Sequence, residues 1–511
     1  MSKNKQLAIN MTATIIAFFV NMGISFVLSP IVVEKVGTEA NGFVLLANNF
    51  VNYASLITIA LNSMAGRFIT IAIHQNKIEE ANKYFNSVLI TNIVMGIILL
   101  IPTVGCLFYL DHIINIPSDI VLDVKLLFFF IFVNFITSII DATFSISTFA
   151  KNRLDLASKR KIESNILKAI LLITAYTFFK TQVFYIGVIS LITTIYITIL
   201  DIHYTKKLLG EVSLDKKFFD ISKVIQIIKS GMWNVITKLG QILNDGLDLL
   251  LSNWLISPLA MGQLALAKIV STSISSLVST VSSIFQPTLT ISFAKEKSDE
   301  IKHDLINAMK ITGTFSNIVL CGIIVFGLQF YKLWVPSQDA ELINILTTLT
   351  VLGTIVGGVI DPLWGIFTIT NKLKVNSIVI LCSGFINTLI VFILLKTTNL
   401  GVFAIAGVSS ITSIIRNLTF TPMYSAHCLG FSKKTFYPVI MRYIGTSVIM
   451  LCIFYFIFNL FTVNSWFMLI LVATICGIIG LTLNILLLFG IKDSQKIITK
   501  ILEKVRSKQN A

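Results

Sequence analysis

Long apolar stretches alternate with short polar connections along the whole chain, and the positive charges collect in every second connection. At about twenty residues per crossing, apolar spans are expected near 8–33, 40–70, 85–110, 124–148, 164–180 and 183–205. A second set falls near 224–254, 259–291, 304–331, 340–369, 375–396 and 399–424, and a further pair near 438–461 and 464–490. The expected fold is therefore all-α and polytopic, with about 14 transmembrane helices. The even connections carry Lys77 and Lys83; Lys151, Arg153, Lys159, Arg160 and Lys161; Lys206, Lys207, Lys216, Lys217 and Lys223. They continue with Lys295, Lys297 and Lys302, then Lys372 and Lys374, then Lys433 and Lys434. The odd connections hold only Lys35, Lys180, Lys332 and Lys396, with Lys125 just inside a span. Cytoplasmic loops retain Lys and Arg, which assigns the even connections and both termini to the cytosol.

Composition changes the reading of the charge. Only 13% of residues are charged and 55% are hydrophobic, against about 25% charged in a globular domain; the mean hydropathy is +0.86. The net charge of +15 would suggest nucleic acid in a soluble protein. Here the cations sit where anionic lipid attracts them, and no soluble basic domain is left to bind nucleic acid. The polar Met1–Gln6 leads into a span too long for the core of a signal peptide. Six cysteines, Cys106, Cys321, Cys382, Cys428, Cys452 and Cys476, lie in or beside apolar segments without CxxC spacing and read as small core hydrophobes.

The two six-span sets are related by an offset of 220 residues (262 − 42). It pairs Gly42 with Gly262, Leu46 with Leu266, Ala47 with Ala267, Ser55 with Ser275 and Ser63 with Ser283. Thr70/Thr290, Ile71/Ile291, Lys77/Lys297 and Glu80/Glu300 follow without a gap. The same register later matches Asp141 with Asp361, Gly187 with Gly407, and Gly210 with Gly430. Each set has an even number of spans, so both start in the cytosol and the repeat is parallel. The expected organisation is a first six-helix lobe over 1–205, a cytoplasmic linker over 206–223 and a second lobe over 224–425. An extra helix pair covers 438–490, and a basic amphipathic tail covers 491–511. Two facing lobes imply a central cavity as the working site.

Polar stripes mark that cavity. Asn234, Lys238, Gln241, Asp245, Asp248 and Ser252 are spaced 4, 3, 4, 3 and 4, one face of a helix. Charged groups near a bilayer centre are costly, so they should face protein or a water-filled cavity. Lys268, Thr272, Ser275, Ser279, Ser282 and Gln286 repeat the device. In that second stripe the hydroxyls also suit close helix packing, and Lys268 is what favours a cavity. The first lobe carries neutral counterparts: Asn21 and Ser25, then Asn48, Asn52 and Ser55, with Asn62 continuing the face. Charge is thereby expected in the second lobe and hydrogen-bonding groups in the first.

Other charges divide between two roles. The repeat-related Asp141 and Asp361 either close a lobe by hydrogen bonds or hold a cation or proton, and Asp361 precedes Pro362, which can kink a helix. Arg416 either snorkels to the cytosolic interface or binds phosphate, and Arg67 is interfacial or stands at a cavity mouth. The tail sets Lys492, Lys496, Lys500 and Lys504 against Ile497, Ile498, Ile501, Leu502 and Val505, an interfacial helix. His74, His112, His203, His303 and His427 stand singly. With no HExxH, Walker A, GxSxG or Rossmann glycine pattern, no catalytic residue, metal or cofactor is expected, nor ATP as the direct energy source.

Two local stretches, GTEANGFVLLANNFVNYASLITIALNSMAGR (Gly37–Arg67) and GMWNVITKLGQILNDGLDLLLSNWL (Gly231–Leu255), join the paired lobes and the extra spans after Met441. With these features nearly the whole chain resembles the multidrug/oligosaccharidyl-lipid/polysaccharide exporter superfamily, and within it the Wzx-type polysaccharide flippases. The resemblance implies alternating access and a substrate of undecaprenyl-diphosphate-linked oligosaccharide, moved outward across a bacterial cytoplasmic membrane for O-antigen, capsule or a related surface polysaccharide. It also implies contact with membrane lipids and with polysaccharide polymerase and chain-length proteins. The substrate-binding residues would be Lys238, Lys268, Gln241, Asn234, Asn48, Asn52, Asn21, Arg67 and Arg416. H⁺ or Na⁺ would couple at Asp245, Asp248, Asp141 or Asp361. The alternatives are a cation-coupled multidrug exporter, against which fourteen spans in place of twelve weigh, and a peptidoglycan-precursor flippase, which the chain resembles less because its first span has no Arg or Lys in the apolar stretch. A membrane polysaccharide polymerase or glycosyltransferase needs a larger extramembrane loop than the dozen residues around Asp111–Asp123.

Overall fold

The computed structural model describes residues 3–294, 298–370 and 372–489. All regular structure among them is helical. The helices are α1 (Lys3–Val36), α2 (Thr38–Ala54), α3 (Leu56–His74), α4 (Ile78–Phe108), α5 (Leu110–Ile113), α6 (Val121–Ala150), α7 (Leu154–Phe178) and α8 (Phe184–Leu208). Next come α9 (Ile221–Gln241), α10 (Asp248–Leu255), α11 (Pro258–Ser283), α12 (Gln286–Ala294), α13 (Ser298–Trp334) and α14 (Ala340–Ile369). The chain continues with α15 (Leu373–Thr397), α16 (Val402–Leu418), α17 (Phe420–Cys428), α18 (Tyr437–Phe458) and α19 (Trp466–Asn484). Among the described residues twelve helical segments are long and apolar enough to cross a membrane. The two other expected spans are α7 and α9, which carry Lys161, Glu163 and Lys168, and Lys223, Lys229 and Lys238. Charge, and not absence of a helix, keeps them off that count. The protein is a multi-pass membrane protein; the basic tail, Lys492 to Val505, lies outside the described residues.

The chain packs as two compact units. Unit 1 holds the described residues up to Leu266 together with Lys374–Val402, and unit 2 holds Ala267–Leu373 and the chain from Phe403 onward. The sequence repeat and the packing therefore divide the chain at different places: α9, α10 and nearly all of α15 belong with the first six spans.

In unit 1, α3, α4, α6 and α9 share a core of Leu61, Ile69, Phe85, Val88, Phe144 and Ile227. At the crossing of α9 over α3 a Cβ on Gly231 would collide with the Ala60 carbonyl, so only glycine permits the approach. The linker between α8 and α9 is clipped to α4. Asn82 accepts from the Ser213 amide (2.7 Å) and donates to the Glu211 carbonyl (3.3 Å). Asn86 spans the Ser213 carbonyl and the Asp215 amide (2.8 and 3.1 Å), and the Ser87 hydroxyl accepts from the Asp220 amide (2.8 Å). Outside the spans, the Lys125 ammonium bonded to Asp111 at 2.7 Å holds that carboxyl below its ordinary range.

Unit 2 builds one core from α12, α13, α14, α17 and α18 through Leu289, Met309, Val359, Ile366, Phe436 and Tyr443. A second core, with Cys321, Phe326, Met450, Phe454, Val472 and Cys476, seats α18 and α19 on α13. Cys321, Cys428 and Cys476 are buried as expected of core hydrophobes; Cys106, Cys382 and Cys452 are exposed on helix surfaces.

One charged group sits deeper than its sequence suggested. Arg160, counted above with the loop cations, is 3% exposed on α7 and forms an ion pair with buried Asp201 on α8. Its guanidinium lies 5.2 Å from the Tyr204 ring centre and donates to Thr148 at 3.4 Å. Removing one partner of a buried pair leaves the other charge uncompensated, at a cost of about 3–5 kcal/mol. Asp201→Leu should therefore lower the thermal midpoint of the purified protein markedly, while Arg160→Met combined with Asp201→Leu recovers most of the loss. A single variant as stable as wild type would contradict a buried, paired charge.

Candidate functional site

The polar stripe beginning at Asn234 runs into a change of helix type. Between α9 and α10, Ile242–Gly246 forms a π-turn, whose wider hydrogen-bond ring holds about one extra residue and shifts the faces that follow. Asn234 and Lys238 are half-buried, and Gln241 and Asp245 are exposed. Beyond the turn Asp248 is 4% exposed and Ser252 is fully buried. The 4-3-4-3-4 spacing assumed one unbroken α-helix; the π-turn rotates its last two members inward.

A π-turn leaves backbone carbonyls without their usual partners, and inside a bilayer these must be satisfied by protein. Side chains of α2 and α15 do so. The Gly246 carbonyl accepts from Tyr53 Oη (2.5 Å) and Asn49 Nδ2 (3.1 Å). The Leu243 carbonyl accepts from Thr388 Oγ1 (2.6 Å), and that of Asn244 from Asn387 Nδ2 (2.9 Å). Close approach of α15 is possible because Gly384 faces the backbone of Gly240. Thr237 and Ser377 share a further hydrogen bond of 2.8 Å.

The same unit joins the charged and neutral stripes. Asn234 Nδ2 donates to Ser63 Oγ on α3 (3.0 Å), and Lys238 Nζ donates to Asn52 Oδ1 on α2 (3.3 Å). Asn48 is exposed and bonds back to the Val44 carbonyl of its own helix (2.8 Å). Asn21 is half-buried on α1 and Arg67 exposed on α3. Asn62 turns to buried Asn92 on α4 (3.2 and 2.9 Å), which also donates to the Ile139 carbonyl and to Thr143 on α6, both at 3.1 Å. Asp141 is half-buried on α6 within the field of Arg160, and its Oδ1 has no hydrogen-bond partner among the described residues.

In unit 2, Lys268 is half-buried on α11. The hydroxyls after it turn back on their own helix: Thr272 donates to the Lys268 carbonyl (2.6 Å) and Ser275 to that of Ser271 (3.0 Å). Ser279 Oγ instead reaches Asp361 Oδ1 at 3.2 Å, tying α11 to α14. Pro362 lies inside α14, which continues through it. The Arg416 guanidinium stacks 5.4 Å from the Trp364 ring centre. Sequence reasoning missed the π-turn, the Arg160–Asp201 pair and Lys168, a lysine in the middle of α7. Two of these were detectable as charges inside apolar segments; the π-turn has no signal in spacing.

No protein-family model matches the chain. The chain is 26% identical over 463 residues to the uncharacterized membrane protein EpsK of Bacillus subtilis (strain 168), covering 90% of this chain and 91% of the relative. A structure of the lipid II flippase MurJ in an inward closed conformation aligns with TM-score 0.66 at 16% identity, over 92% of this chain and 97% of that one. The MATE multidrug transporter DinF-BH, in a complex with a bound ligand, aligns with TM-score 0.62 at 17% identity, over 84% and 97%. The fold is the one these transporters share.

The clamp on the π-turn is open to test. An unmade bond to a buried carbonyl costs about 1–3 kcal/mol. Tyr53→Phe and Asn387→Leu should each lower the thermal midpoint and raise hydrogen–deuterium exchange over 242–248, whereas Asn48→Ala should change neither. Unaltered exchange in both clamp variants would show that side chains do not hold the turn.

Proposed function

We propose that this chain moves a polyprenyl-diphosphate-linked oligosaccharide from the cytosolic to the outer leaflet of a bacterial cytoplasmic membrane, by alternating access, for assembly of a surface polysaccharide. The supporting observation is the extent of the fold match. The lipid II flippase aligns over 92% of the chain and the drug transporter over 84%. The difference, 8% of 511 residues or about 40, is comparable to the α18–α19 pair. A lipid-headgroup flippase thus accounts for the chain at nearly its full length.

The residues fit that cargo in outline. Within unit 1, Lys238 supplies a cation toward a diphosphate, and Asn48 and Asn52 supply amides toward sugar hydroxyls and acetamides; within unit 2, Lys268 supplies a cation. An inside-negative potential favours outward movement of anions by about 2.3 kcal/mol per charge per 100 mV, so two phosphate charges gain at most about 5 kcal/mol. Returning the empty carrier then needs a cation, H⁺ or Na⁺, at Asp245 or Asp248, or at Asp141 or Asp361.

Lys268→Arg should retain most surface polysaccharide and Lys268→Gln should lose most of it, measured by immunoblot in a strain lacking the chromosomal copy. Equal export by both variants would remove the anion-binding role. Asp248→Asn should accumulate lipid-linked oligosaccharide on the cytosolic side while still binding it. Normal export with the proton and sodium gradients collapsed would exclude coupling at these aspartates.

A further inference from the structure

Lys168 has no role in the site described so far. It lies on α7, ten residues before the helix ends at Phe178, about 15 Å along the axis. Toward the other end the exposed Lys161 is seven residues away, about 10 Å along the axis. Its position on the helix is interior: Ser164 and Leu172, one turn to either side, are buried, while Ile166, Ile170 and Ile173 on the outer face are 46–56% exposed. Lys168 itself is half-buried. Among the described residues it makes no hydrogen bond or ion pair. The nearest carboxylate along the helix, Glu163, is engaged by Lys159 (3.7 Å) and by Tyr196 (3.2 Å).

The surroundings supply polar groups at the same depth. Asn165, three residues away, has a buried Nδ2 without a hydrogen-bond partner. Helix α1 runs beside α7 in a register fixed by Asn10 with Asn152 (3.0 Å) and Thr14 with Ser158 (3.3 Å). Those offsets, 142 (152 − 10) and 144 (158 − 14), bring Asn21 to the level of residues 163–165 on α7. An ammonium and a carboxamide with an unused donor therefore share one face of α7, near the level of the Asn21 carboxamide on α1. Such a charge in a membrane interior is retained for a partner it does not find within the protein.

We propose that Lys168, with Asn165 and Asn21, forms an anion-binding subsite for a phosphate- or diphosphate-bearing headgroup. The subsite deepens the flippase reading and rests on it for the identity of the cargo. It also puts a cation within a span of the first sequence repeat, whose polar stripes are neutral.

The test uses the full-length protein in detergent with three probes: farnesyl diphosphate, inorganic pyrophosphate and farnesol. Wild type and Lys168→Arg should bind farnesyl diphosphate, and Lys168→Met should bind it about tenfold to a hundredfold more weakly. Farnesol should bind all three alike. Pyrophosphate binding that depends on Lys168 would assign the subsite to the headgroup alone; its absence beside farnesyl diphosphate binding would assign it to a lipid-linked anion. Lys168→Cys should lose binding and regain it after aminoethylation with a methanethiosulfonate reagent, which separates loss of charge from loss of fold. Undiminished binding of either anion by Lys168→Met would overturn the subsite and leave the flippase reading standing. Lys168-dependent binding in a protein whose deletion leaves surface polysaccharide unchanged would keep the subsite and remove that reading.

Discussion

Inside a bilayer no water repairs an unmade hydrogen bond, and backbone groups facing lipid must find their partners in the chain itself. The π-turn at Ile242–Gly246 shows the consequence most plainly. Ile242 keeps the backbone bond from Leu247, and α2 and α15 deliver Tyr53, Asn49, Asn387 and Thr388 to the carbonyls of Leu243, Asn244 and Gly246. Those bonds draw α9 and α15 into unit 1. A bend in one helix thus determines which helices pack together, and it leaves Asp245 exposed while Asp248 is enclosed.

The same constraint sorts the ionisable groups. Arg160 and Asp201 answer one another, and Asp361 takes Ser279 as donor. Both contacts hold helices together, and in the first the two charges cancel. Lys238 makes one bond, to a neutral amide, and Lys168 makes none among the described residues. A transporter of an anionic headgroup needs cations whose charge is not already cancelled, and these two differ from the structural pairs in that respect.

The sequence carried most of the architecture. An all-helical chain that crosses the membrane many times follows from hydropathy alone, because membrane insertion demands apolar length irrespective of detail. Packing was less legible. The repeat placed α9 in the second lobe, but Gly231, Gly384 and the carbonyl clamps are contacts between distant positions that no period encodes. The stripe from Asn234 to Ser252 changes burial only after Asp245, past the π-turn, where the 3.6-residue period no longer carries through. Arg160 was taken for a loop cation because it stands in a basic run with Lys159 and Lys161 before the next apolar span; burial of the middle residue depends on Asp201, forty-one positions away (201 − 160).

The most direct measurement is reconstitution. Purified protein in proteoliposomes would be given a fluorescent polyprenyl-diphosphate oligosaccharide in one leaflet, and its arrival in the other would be followed with a membrane-impermeant quencher. Headgroup translocation predicts flipping well above protein-free vesicles, accelerated by a potential negative on the side from which the anion departs. Transport of a lipophilic cationic dye with no movement of the diphosphate lipid would contradict it.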